Sequence, residues 1–238
     1  MKDDRPAREN NPAKALEVDK KHLLGQFDPA SDRNFRKVKA PYGRRDHLYL
    51  LSDVYDAFIK MRKAAKADGI SLVIISATRN FDDQKKIWQS KWTGKRLVGG
   101  ENLAKTVPDP VERARIILKY SAMPGTSRHH WGTDIDINSV DKAHFESGKG
   151  LKTYQWLVRN AGRFGFVQPY IPKGKGRPHG YEEEPWHWSY NPIAKVFLRQ
   201  YVKRISYDDI TGFDGSETAS KIDVIKHYVL GINPDCLK

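Results

Sequence analysis

The chain predicts an α+β fold. Helical stripes, with apolar residues at spacings of three and four, are interleaved with short β-branched or aromatic runs. The two kinds of element follow one another without a regular strand–helix–strand repeat, which disfavours a doubly wound parallel sheet. There is no internal repeat and no linker. The expected organisation is one domain over residues 22–238, behind a flexible basic arm over residues 1–21 that is rich in charge, Asn and Pro.

The first strong stripe is Val54, Phe58, Met61 and Ala65, a helix with Ser52 as N-cap and Gly69 as its stop. Residues 71–76, Ser-Leu-Val-Ile-Ile-Ser, read as a buried strand. A second helix covers Phe81 to Trp92. A third begins at Asp109-Pro110, a cap followed by proline at N1, and carries Val111, Ile116, Ile117 and Tyr120. A loop over 124–127 leads to a strand with alternating Ile135 and Ile137. A helix spans Thr153 to Arg163, closed by Gly162 and Gly165. Residues 170–185 form a Gly/Pro/Lys-rich loop of the kind that borders a cleft. An aromatic strand over 186–190, a helix opened by Pro192 and running to Lys203, and a last helix over 220–230 complete the chain.

Composition narrows the function. A net charge of +13 favours polyanionic surroundings, yet the basic residues form no single block and no zinc-finger or RNA-binding signature accompanies them. No nucleic-acid partner is expected. No run approaches the roughly 18 apolar residues of a membrane span, so no transmembrane segment is expected. The N-terminus has no apolar core of a secretory signal, which fits either a cytosolic protein or a processed or truncated chain. One cysteine, Cys236, excludes an internal disulfide and a Cys-rich zinc site. The P-loop, the Gly-x-Ser-x-Gly elbow and the His-Glu-x-x-His helix are all missing.

Good metal ligands remain in two segments, residues 127–136 (SRHHWGTDID) and 184–188 (EPWHW). His129, Asp136 and His187 could supply the three donors of a catalytic zinc, whose bound water becomes acidic enough to ionise near neutrality. Glu184 is then the carboxylate placed to collect the proton. Residues three apart on a strand face opposite sides, so this pairing requires Glu184 in the loop and His187 in the strand, a break that Pro185 favours. His130, next to His129, would point away from it on extended backbone and is read as non-ligating. Each residue also has a plainer reading: a histidine among aromatics is more often packed than ligating, and one of Asp134 and Asp136 could be a solvated strand position.

The pattern Ser127-x-His129-x-x-Gly132-x-x-x-Asp136, followed by Glu184-x-x-His187, resembles the VanY-type D-alanyl-D-alanine carboxypeptidases. These are zinc peptidases that share their fold with D-Ala-D-Ala dipeptidases, certain phage endolysins and the Hedgehog signalling domain. Ser76-x-x-Arg79, with Gln84 five residues on, matches an upstream block of the family, and the resemblance covers about Leu48 to Tyr190. It implies a small antiparallel sheet carrying the metal site, flanked by helices (a Hedgehog/DD-peptidase-like fold). It also implies one Zn2+ held by His129, Asp136 and His187, with Glu184 as general base and then general acid. Arg79 would bind the terminal carbonyl or carboxylate and stabilise the oxyanion. Gln84 and Ser127 would hydrogen-bond the terminal residue, and Trp186 would wall its pocket.

The implied activity is removal of terminal D-alanine from peptidoglycan stem peptides in the cell envelope, with anionic wall polymers as possible partners of the basic surface. An L,D-carboxypeptidase acting on tetrapeptide stems and a non-catalytic zinc-containing wall-binding module are the alternatives; the presence of both Glu184 and Arg79 favours catalysis. One departure from the family pattern is Asp134, where a small apolar residue is usual. Pointing inward it would perturb the metal or His129; otherwise it would be harmless.

Overall fold

The computed structural model describes residues 17–238. The arm expected over residues 1–21 lies, for residues 1–16, outside the described residues. The remainder is part of the folded body: Val18 is buried, and the Asp19 side chain accepts from His22 N to cap α1 (Lys20–Leu23). β1 (Phe35–Lys37) and β2 (Tyr49–Leu51) pair antiparallel, Phe35 opposite Leu51, as a separate two-stranded ribbon. None of these three elements was expected from the sequence, because each is too short for a hydrophobic period to register.

α2 (Ser52–Ala67) buries the predicted stripe and ends before Gly69, whose φ of 73° suits a residue without Cβ. Ser52 is not its cap. The residue already lies in the first turn, and its hydroxyl donates to Asn34 O at 3.0 Å, tying the helix to the ribbon. β3 (Ile74–Ser76) is shorter than predicted, because Val73 N donates to the Asn138 side chain and Leu72 O accepts from Arg62 Nε. α3 (Phe81–Trp92) has the predicted bounds, with Asn80 as its cap. α4 (Leu103–Thr106) intervenes before α5 (Pro110–Ile117), which Asp109 caps; Tyr120 lies past its end and is exposed.

After β4 (Asp134–Ile137) comes α6 (Gly148–Asn160), which starts earlier than predicted and continues as a 3-10 turn until Gly165. β5 (Phe166–Val167), β6 (His187–Tyr190) and α7 (Asn191–Arg204) follow. The last predicted helix is divided: α8 (Thr218–Ile222) stops at Asp223, whose φ of 55° breaks it, and a π-helical turn covers Ile225–Val229.

The main sheet runs β3-β4-β6-β5, antiparallel throughout, with helices around it, and the fold is α+β as expected. Alternation along β4 and β6 divides its middle into two faces. Ile135, Ile137 and Trp188 join the core with Val54, Phe58, Met61 and Leu157, each such side chain contributing about 1.5–3 kcal/mol by leaving water. On the other face Asp134 stands opposite Ser189 and Asp136 opposite His187. All four polar residues are buried. Burying so much charge is tolerated only with partners, and those partners define the site. Among the described residues no helix is long and apolar enough to cross a membrane.

Candidate metal centre and cleft

Three donors converge on the polar face: the ligand atoms of His129, Asp136 and His187 all lie within 4.8 Å of one another. His129 arrives from a 3-10 turn over Arg128–Trp131, which the Ser127 hydroxyl caps by accepting from His129 N at 3.3 Å. Sequence reasoning had treated this stretch as extended. The turn ends at Gly132, with φ of 74°, where an added Cβ would lie 2.3 Å from the Phe35 ring. Only glycine satisfies both demands. His130 is held apart from the centre by the same turn: its Nδ1 meets Arg79 O at 2.7 Å and its Nε2 accepts from Gly125 N at 3.0 Å. Burial pushes its pKa down to about 3, so it is a neutral structural group.

The hydrogen bonds of each central histidine fix which nitrogen faces inward. His129 Nδ1 donates to Ala77 O at 2.7 Å, leaving the Nε2 lone pair for the centre. His187 Nε2 donates to Asp134 Oδ1 at 3.0 Å, leaving Nδ1 toward Asp136 Oδ1 at 3.4 Å and Glu184 Oε2 at 3.2 Å. His129 Nε2 and Asp136 Oδ1 lie 3.4 Å apart, yet both are buried without a hydrogen-bond partner. Two orphaned buried donors, inward-facing imidazoles and one carboxylate fit a divalent cation with nitrogen and oxygen preferences.

Asp134 points inward, but toward neither His129 nor the centre. It bonds to Arg128 Nε at 3.0 Å and to the Thr133 hydroxyl, while Arg128 also donates to Ser189 Oγ at 2.6 Å. Burial opposes ionisation of Asp134, but Arg128, His187 and Thr133 together outweigh it and hold the carboxyl well below the usual range. The sequence alternatives for this residue, perturbing or harmless, both miss its role: it orients His187. Burial also disfavours a charged His187, yet its bonds to Asp134 and Glu184 and the charge of Asp136 raise it to about 9 without a metal. Burial lowers His129. Of the two imidazoles, His187 therefore holds a proton more readily than His129.

A cleft opens on this centre, lined by Arg79, Gln84, Ser127 and Glu184 together with Tyr170 and Tyr181. Arg79 leaves the end of β3, its N–H donating to His129 O at 3.1 Å, while its Nε is buried without a partner. Gln84 donates to Ala122 O at 2.8 Å, and its Oε1 is likewise orphaned. Glu184 sits in loop and His187 in strand, joined by a turn in which His187 N donates to Glu184 O at 3.2 Å. Trp186 packs tilted against Phe145, with centroids 6.4 Å apart, and does not line the cleft. Tyr170 and Tyr181 were missed as individual residues, although their loop was marked as a cleft border. Arg177 secures that loop, its guanidinium donating to the carbonyls of Ile171, His179 and Tyr181.

Known proteins give the geometry its context. The family model described as D-alanyl-D-alanine carboxypeptidase, VanY, matches residues 47–193. The chain is 34% identical over 140 residues to a D-alanyl-D-alanine carboxypeptidase of Enterococcus faecalis, covering 59% of this chain and 45% of that protein. It is 31% identical over 201 residues to the putative carboxypeptidase YodJ of Bacillus subtilis, covering 79% of this chain and 66% of that one. The chain thus spans about half to two thirds of these relatives' lengths. Among solved structures, the LdcB LD-carboxypeptidase superposes with a TM-score of 0.51 at 24% identity, covering 83% of this chain and 81% of that one, a likeness of fold. With the family model spanning most of the chain, including the whole site, the protein belongs to the VanY D-alanyl-D-alanine carboxypeptidase family.

Proposed function

We propose that this chain is a zinc-dependent carboxypeptidase that removes terminal D-alanine from peptidoglycan stem peptides. The observation that carries the reading is the convergence of His129, Asp136 and His187 within 4.8 Å, with Glu184 Oε2 3.2 Å from His187 Nδ1. His129 Nε2, Asp136 and His187 Nδ1 would hold one zinc ion. When bound, it would polarise the scissile carbonyl and acidify a water molecule. Glu184 takes a proton from the attacking water and returns it to the leaving amine. Arg79, a planar fork with an unused Nε–H, binds the terminal carboxylate or the oxygen on which negative charge develops. Gln84 and Ser127 hydrogen-bond the terminal residue. Tyr170 and Tyr181, rather than Trp186, would wall its small side-chain pocket.

Such a substrate puts the work outside the cytoplasm, in the cell envelope, where a net charge of +13 would draw the enzyme toward anionic wall polymers. The test is mass spectrometry of mixed tetrapeptide and pentapeptide muropeptides after incubation with zinc-loaded protein. Loss of one alanine from the pentapeptide is expected. Shrinkage of the tetrapeptide alone would reassign the enzyme as an L,D-carboxypeptidase. Two intact species with zinc still bound would overturn the reading in favour of a wall-binding module.

A further inference from the structure

Helix α3 sets a second cation behind the cleft. Gln84, Trp88 and Lys91 follow at i, i+4 and i+7 and form its buried stripe. Helical side chains lean toward the N-terminus of their helix, so Lys91 Nζ is carried back toward Gln84. Both side chains end on one short segment: Gln84 Nε2 donates to Ala122 O at 2.8 Å, and Lys91 Nζ to Ser121 Oγ at 2.6 Å. Ser121 lines the cleft, as Arg79 does.

Lys91 is 7% exposed, yet among the described residues it makes no ion pair. Burial, with Arg96 and Arg79 as neighbouring cations, lowers its pKa to about 8, and Glu184 offsets this only in part. A buried ammonium without a counter-ion is costly, so a functional or structural reason is needed for keeping one here. Ser121 supplies the route by which it reaches the cleft. Its hydroxyl oxygen already accepts from Lys91, which leaves its own proton to donate toward an anion in the cleft that Arg79 also lines.

We propose that Lys91, acting through Ser121, completes with Arg79 an anchor for the free C-terminal carboxylate of the peptide. Lys91 is thus a positioning residue that selects chain ends over internal or amidated bonds. This inference rests on the carboxypeptidase reading and sharpens it toward exopeptidase specificity. The peptide carboxylate provides the missing counter-charge, which a neutral carboxamide does not.

The test compares zinc-loaded wild type, Lys91→Met and Ser121→Ala on a synthetic stem pentapeptide ending in D-Ala-D-Ala and on its C-terminal amide. Wild type should prefer the free acid at least about tenfold in kcat/KM. Lys91→Met should lower that preference about tenfold to a hundredfold, chiefly through KM for the acid, the range expected for one charge-assisted hydrogen bond. Ser121→Ala should remove part of it, and decides the matter if Lys91→Met fails to fold. A preference within about twofold of wild type in the folded variants, or none in wild type, overturns the anchor. If wild type cleaves neither peptide, the D,D-carboxypeptidase reading fails. Calorimetry with D-alanyl-D-alanine and its amide then judges the anchor alone, and a Lys91→Met protein binding the acid as tightly as wild type refutes it.

Discussion

The two histidines of the centre are held by different means. His129 is oriented by a main-chain carbonyl, Ala77 O, at the end of a strand. His187 is oriented by a side chain, Asp134, itself fixed by Arg128, Thr133 and, through Arg128, Ser189. A carbonyl at the end of β3 persists as long as the sheet does, whatever residue stands there. A carboxylate can be deleted by one substitution. The first arrangement makes half of the site a consequence of the fold, whereas the second makes the other half depend on a buried charge network that must be complete to be tolerated.

His129→Ala and His187→Ala should have equally severe effects, each leaving substoichiometric zinc by elemental analysis; full zinc content in either variant would remove that residue from the ligand set. Asp134→Ala should weaken zinc binding about tenfold to a hundredfold in a chelator competition, as loss of an outer partner of a ligating histidine does. It also strands Arg128, with a stability loss of about 3–5 kcal/mol in denaturant unfolding. Removing both charges in the double variant Arg128→Met/Asp134→Leu should restore much of that stability without restoring affinity, because His187 still lacks its acceptor. Recovery of both would mean that Asp134 serves only Arg128. The smallest effect is expected for Ala77→Gly, which keeps the carbonyl: zinc affinity should change by less than about threefold, a limit set by the retained acceptor.

The same contrast explains what could be read in advance. α3 and the stripe of α2 were legible because their periods run through three or more turns. The candidate triad of His129, Asp136 and His187 was legible because its residue types are rare in combination and their spacing matches a family block. What escaped depends on tertiary placement. The 3-10 turn around His129 is a single turn and carries no period. Asp134 looked like an anomaly until the register brought it opposite Ser189 and next to His187. Asp223, which divides the final helix, gives no sign in its sequence of a left-handed conformation. Trp186 packs against Phe145 and does not line the cleft that His187 enters, a placement no local pattern announces.

In the proposed mechanism three residues hold the metal and a fourth, Glu184, carries the proton. This division of roles is tested most directly by titrating zinc into wild type and Glu184→Gln while following release of D-alanine from a stem pentapeptide. The account predicts one equivalent of zinc in both proteins and turnover lowered at least about a hundredfold in the variant, as for a lost general base. A Glu184→Gln protein that binds zinc and retains full turnover would contradict it.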